Sequence, residues 1–146
     1  MLPTMNQPVP ATDFSDRVRA CFDQQPAMRL IGALLTRVDA GEVEITMPYR
    51  ADLTQQHGFV HAGIVTTLVD SACGFAALSL MPSGSDVLSV EFKLNLLRPA
   101  AGKKFRAVGT VLKPGRTLMV TRGDVWADQE DEQVLVATML ATMIRR

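Results

Sequence analysis

Asp70 stands in the middle of an apolar run from Ile64 to Leu80, in which the thiol of Cys73 is the only other ionisable group. A carboxylate is costly to bury unless it is paired or hydrogen-bonded, so its presence there needs a reason. Acids set into apolar helices cluster at functional sites, where one can act on a carbonyl as general base or nucleophile. A structural carboxylate that bridges neighbouring chains is the other role open to it. The run is entered through Q-Q-H-G-F-V-H-A-G, residues 55 to 63. At such a helix start the N–H groups of Ala62 and Gly63 can point at an oxygen that gains negative charge, with the positive end of the helix dipole behind them. An ordinary helix start is the plainer alternative. Gln55 could orient a carbonyl or a water, although by itself it reads as a loop amide. The hydroxyl of Ser89, on the polar face of a later strand, could hold Asp70 or the water, or lie at the surface. His57 and His61 suit general-base chemistry, but a histidine at a helix entry is more often a hydrogen-bonded structural residue. Cys73 has no cation near it in sequence to favour a thiolate and reads as core.

These residues need a frame. A Pro-free apolar run of this length reads as a helix, and its apolar positions cover most of the circumference, so other structure must enclose it. Gly63, Thr67, Ser71 and Gly74 recur at spacings of three and four on or beside the Asp70 face, a stripe suited to a ligand or a second helix. Upstream, residues 1–12 carry Pro3, Pro8 and Pro10 and should be extended or flexible, leaving a single domain over 13–146. Phe14, Val18, Cys21 and Phe22 predict a helix over 13–25 that Pro26 stops. Two strands about Asp39-Ala40-Gly41 follow. In the second, Val43, Ile45 and Met47 share one face, with Glu44 and Thr46 on the other. After the central helix, Leu88, Val90, Phe92, Leu94 and Leu96 alternate with polar residues in the clearest strand pattern of the chain. Further strands occupy 104–112, 117–127 and 134–144. With no helices between them they predict an antiparallel meander, and the whole an α+β fold of five or six strands curled around one helix.

The composition narrows the function. Fifteen Lys and Arg balance fifteen Asp and Glu with no basic block, which argues against a nucleic-acid surface. The N-terminus lacks a charged and then apolar leader pattern. The 64–80 run, about 17 residues with an acid at its centre, is short and expensive for a membrane span. Two cysteines and two histidines form neither a disulfide framework nor a zinc pattern. The expectation is a cytoplasmic protein with reduced thiols, no membrane partner, no metal and no redox cofactor.

A helix wrapped by an antiparallel sheet, entered through H-G-F-V-H-A-G and carrying an internal acid, resembles the hotdog fold. Gln55, His61-Ala62-Gly63 and Leu68-Val69-Asp70 are similar to the pattern of the PaaI-like acyl-CoA thioesterases, and V-L-S-V-E-F-K-L-N-L-L-R-P-A resembles the run that follows their helix. The middle Gly of that family's H-G-G is Ala62 here. Ala keeps the N–H donor but adds a methyl. The resemblance implies hydrolysis of an acyl-CoA to the free acid and CoA. Asp70 is then base or nucleophile, Gln55, Ala62, Gly63 and Ser89 its catalytic companions, and His61, Thr67 and Gly74 lie along the substrate. Lys113 and Arg116, at a Pro-Gly turn, would hold the CoA phosphates, unless they are ordinary solvated cations. It also implies a homodimer, doubled to a tetramer, with Gln55 and Ala62 of one chain facing Asp70 of the other. A hotdog hydratase or dehydratase using His57 or His61, and a non-catalytic acyl-CoA-binding module, are the rival readings.

Overall fold

The computed structural model describes residues 8–146, so the expectation of an extended segment over 1–12 lies partly outside the described residues. Helix α1 runs Phe14–Gln24 and buries Val18 and Phe22. Pro26 does end it, but the chain starts again at once as the short helix α2, Pro26–Leu30, with the proline in its first turn. There a missing N–H costs nothing, because the first N–H groups of a helix have no partner in it. Strands β1 (Leu34–Asp39) and β2 (Glu42–Pro48) form the expected hairpin. Gly41 makes its turn with φ +80°, a conformation that a Cβ would strain. A 3-10 turn over Ala51–Leu53 leads to the long helix α3, Ala62–Ser79, and then to β3 (Val87–Leu96), β4 (Lys104–Lys113), β5 (Leu118–Asp128) and β6 (Gln133–Arg145).

All six strands form one antiparallel sheet in the order β1-β2-β4-β5-β6-β3. The expected meander holds only for β4-β5-β6. The strand after the helix passes β4 and β5 and pairs with β6 at the far edge, while β2 pairs with β4. The crossover follows from the helix, which lies across the sheet and separates the ends it joins. This is the hotdog architecture.

Alternation decides which residues meet α3. Val43, Ile45 and Met47 are fully buried, as are Phe105 and Ala107 of β4 and Val125 of β5. Each of these side chains except the smaller Ala107 contributes about 1.5–3 kcal/mol relative to exposure. Two positions on this face carry no side chain. Gly109 and Gly123 are directly opposed on β4 and β5. A Cβ at Gly109 would overlap the carbonyl of Ala72, and one at Gly123 would press Val69 and come within 2.7 Å of Cys73 Sγ. The helix backbone therefore settles into a gap between side chains, the close approach that glycine permits. Its end is tied down as well. Buried Ser79 Oγ donates to Ala76 O at 2.6 Å and accepts from Gly41 N–H at 2.7 Å, joining the last turn of α3 to the β1-β2 turn. By length and composition α3 could span a bilayer, but here the sheet encloses it.

Strand β3 departs from its expected pattern. Ser89 faces Met143 and Glu91 faces Thr142, which leaves Val90 as an unpaired bulge. Directly opposed residues share a face. The bulge therefore puts Ser89 on the same inner side as Phe92, Leu94 and Leu96, whose partners Ala141, Met139 and Ala137 are buried. Strict alternation would have sent Ser89 to the other face.

Candidate active site

Asp70 lies two turns into α3 and is half-buried. Ser89 Oγ, aimed inward by the bulge, donates to its Oδ1 at 2.7 Å and touches Met143 Sδ at 3.4 Å. Bulges re-aim side chains in this way next to active sites. The carboxylate opens into a cleft of about 190 Å³ bordered by Gln25, Ser71, Gly74, Phe75, Val87, Leu88 and Ser89. Gly74 is buried within the chain rather than exposed along a stripe, and a Cβ there would meet nothing within 4 Å.

The helix start is built by its own loop. Gln55 N–H donates to Phe59 O at 2.9 Å, Gly58 N–H to Gln55 O at 3.0 Å, and Gln55 Oε1 accepts from His57 N–H. The loop is thereby closed on itself, and the amide nitrogen of Gln55 is left to donate elsewhere. His61 N–H donates to Leu53 O at 2.9 Å and its Nδ1 accepts from Gly63 N–H at 2.8 Å, making His61 the N-cap of α3. Asn, Asp, Ser and Thr are the usual caps, so the imidazole acts here in a structural role. One consequence separates the two expected oxyanion donors. Gly63 N–H is engaged by His61, whereas Ala62 N–H has no partner among the described residues. Thr67 Oγ1 bonds back to Gly63 O at 2.9 Å. Gln55 and Ala62 line a second cleft of about 480 Å³, walled by Phe59, Val65, Leu96, Leu97 and Val136, with Arg98 at its border.

The chain thus holds the expected residues in two groups. Asp70 with Ser89 and Gln55 with Ala62 border clefts that share no residue. Arg116 borders a third, of about 570 Å³, with Leu80, Pro82, Met119 and Arg145, and Lys113 ends β4 nearby. Two neighbours were not singled out from the sequence. Gln25 reaches Ser71 from the α1-α2 junction and lies within no motif, while Arg98 falls near the end of the run V-L-S-V-E-F-K-L-N-L-L-R-P-A without a residue type or spacing that marked it; the folding of distant segments together reveals both.

Cys73 is buried behind Asp70. Desolvation pushes its thiol up to about 12, reinforced by the charges of Asp70 and Asp124 and opposed by a hydrogen bond with Thr121. It stays a neutral core residue.

The model of the thioesterase superfamily matches residues 57–134, which include α3 and strands β3, β4 and β5. The chain belongs to the thioesterase superfamily. A thioesterase family protein from Silicibacter pomeroyi is 48% identical, with a TM-score of 0.89 over 90% of this chain and 97% of its own. A Halobacterium salinarum protein whose name proposes an esterase is 30% identical over 86% of this thioesterase and 89% of its own length. The PaaI protein of E. coli, from the phenylacetic acid degradation operon, shares the fold at 21% identity, with a TM-score of 0.83 over 92% of this chain and 94% of its own. The protein is a thioester hydrolase, and with that the hydratase and passive-binding alternatives fall away.

Proposed function

We propose that this thioesterase hydrolyses an acyl-CoA to the free acid and CoA at sites shared between two subunits of a homodimer, itself doubled to a tetramer. Asp70 takes a proton from the attacking water or attacks the carbonyl itself. Ser89 holds the carboxylate in place. Ala62 N–H, backed by the α3 dipole, receives the oxyanion, and the Gln55 amide nitrogen donates to the same oxygen. Gly63 and His61 contribute by fixing the helix start, so that the free donor at Ala62 faces outward. Thr67 and Gly74 lie along the acyl group. Lys113 and Arg116 hold the CoA phosphates. Where water attacks, the thiolate of CoA leaves on collapse of the tetrahedral intermediate and the acid product keeps the oxygen of water; where Asp70 attacks, the thiolate leaves to give a mixed anhydride with Asp70, which water then cleaves to the acid and the free carboxylate.

The observation that carries this reading is the hydrogen bond of 2.7 Å from Ser89 to a half-buried Asp70 that has no cation against it among the described residues. A carboxylate so held keeps a lone pair for water. The division of the site between subunits is supported by distance and by the sheet edge. Asp70 follows Ala62 by eight residues, about 12 Å along the axis. At the edge, β3 leaves one side of its backbone unpaired and exposes Val90 by 56%, Phe92 by 47% and Leu96 by 55%, a surface suited to a second copy. The free thiols of Cys21 and Cys73 accord with a cytoplasmic location.

The test is thiol release from a panel of acyl-CoA esters by the wild type and Asp70→Asn. The variant keeps the shape and loses the charge, so kcat should fall by about 10² to 10⁴ with folding intact. Near-normal turnover by a folded variant would remove Asp70 from the mechanism.

A further inference from the structure

We propose that Gln25 is a specificity-determining residue that binds a neutral polar group, such as a hydroxyl or ketone oxygen, on the acyl chain of the substrate. This rests on the reading of the protein as an acyl-CoA hydrolase acting through Asp70. Gln25 closes α1 and opens α2. Its N–H donates to Phe22 O at 3.1 Å and its carbonyl accepts from Met28 N–H at 3.2 Å, so its backbone is held from both sides. From that fixed point the side chain reaches α3, where Oε1 accepts from Ser71 Oγ at 3.2 Å. The bond orients the amide and leaves its nitrogen with no partner among the described residues, at the border of the Asp70 cleft. An amide nitrogen carries two donors, and covering it with an apolar acyl chain would leave both unsatisfied.

The rest of the cleft limits what can meet it. Phe75, Val87 and Leu88 supply apolar wall, and Gly74 leaves room. Among the described residues no Lys, Arg or His borders the cleft, while Asp70 does, so a charged carboxylate on the acyl chain would be repelled and unpaired. A neutral oxygen can accept from Gln25. A hydroxyl can also donate to Ser71. Because Gln25, Ser71 and Asp70 border the same cleft, the group recognised and the thioester would share it.

The experiment compares kcat/KM for straight-chain acyl-CoA esters of four to eight carbons, each with and without a terminal hydroxyl, in the wild type and in Gln25→Met, which keeps the length of the side chain and removes its donors. At the matching length the wild type should favour the hydroxylated ester by about tenfold or more, the discrimination expected of one satisfied hydrogen bond in a partly open site. Gln25→Met should abolish that preference through KM, raising KM for the hydroxylated ester and lowering it for the unsubstituted one, with kcat for both little changed, since Gln25 does not touch the reacting carbonyl. Equal rates for every pair in an active wild type would overturn the proposal alone. So would a variant that retains the preference or slows both esters equally. A wild type that hydrolyses none of these esters but releases thiol from others of the wider acyl-CoA panel would overturn this proposal alone, and inactivity on the whole panel would overturn the acyl-CoA reading and this proposal with it.

Discussion

Mixing two inactive variants tests the division of the site between subunits. If Ala62 and Asp70 of one chain served the same thioester, about 12 Å along α3 would have to be bridged by two hydrogen-bond contacts of about 3 Å each, leaving about 6 Å uncovered. One carbonyl group does not fill that gap. If the site is shared, a Gln55→Ala subunit lacks the donor side of one site and an Asp70→Asn subunit lacks the acid side of one site. Their heterodimer gathers both defects in the same site and leaves the other whole. Equal mixing gives half heterodimers by random pairing. With one intact site of two in each, about a quarter of wild-type activity should return, since the two-fold axis makes the sites equivalent. Each parent alone should stay at or below about one per cent, given losses of about 10² or more for a missing base or oxyanion donor. Thiol release measured before and after exchange, with heterodimer formation confirmed by mass spectrometry of differently tagged chains, gives a difference of more than tenfold. Absence of recovery after verified exchange would mean that each site is built from one chain.

Neutralising Lys113 and Arg116 together should raise KM for acyl-CoA with little change in kcat, and added salt should weaken wild-type binding in the same direction. Unchanged kinetics would make them surface cations. The Cys73 thiol, raised by burial from its ordinary 9.0 to about 12, keeps its proton in the fold at pH values where the unfolded chain loses it. Its contribution to stability is therefore complete below about pH 9 and disappears as pH rises toward 12. Denaturant titrations between pH 9.5 and 11 should show wild-type stability falling faster than that of Cys73→Ala by up to about 1.4 kcal/mol per pH unit, the slope of one proton. Parallel curves would contradict a buried, neutral thiol.

What the sequence revealed of this fold depended on whether the signal was local. The apolar run with its single acid marked α3 to within two residues at its start, because a long Pro-free stretch that is apolar nearly all round has few alternatives. Alternation named the buried face of β2 correctly through Val43, Ile45 and Met47. In β3 the same rule found the strand and misjudged the direction of Ser89, since a bulge has no signature in alternating residues and depends on how the partner strand is paired. Strand order failed for a related reason: adjacency in sequence suggests a meander, whereas the crossover is imposed by the helix lying over the sheet. Gln25 and Arg98 reach the clefts only through tertiary contacts. The clustering of Asp70 with Ser89, and of Gln55 with Ala62, was legible only as a resemblance of motifs. That the two pairs border separate clefts of one chain was visible only in three dimensions.

The opposed glycines beneath α3 act as a detent. A helix resting on a flat layer of side chains can slip along its axis at little cost, but one lowered between neighbours at Gly109 and Gly123 must climb out before it can move. The positions it presents to the notch, Val69, Ala72 and Cys73, flank Asp70 on both sides. The reach from the carboxylate to Ser89 is therefore calibrated by two absences in the middle of the sheet, on strands that contribute nothing else to the clefts holding Asp70 and Gln55. A methyl group added at either position would be a structural lesson in leverage: a protein still folded, with its acid displaced from its anchor, failing as though a residue of the active site had been lost.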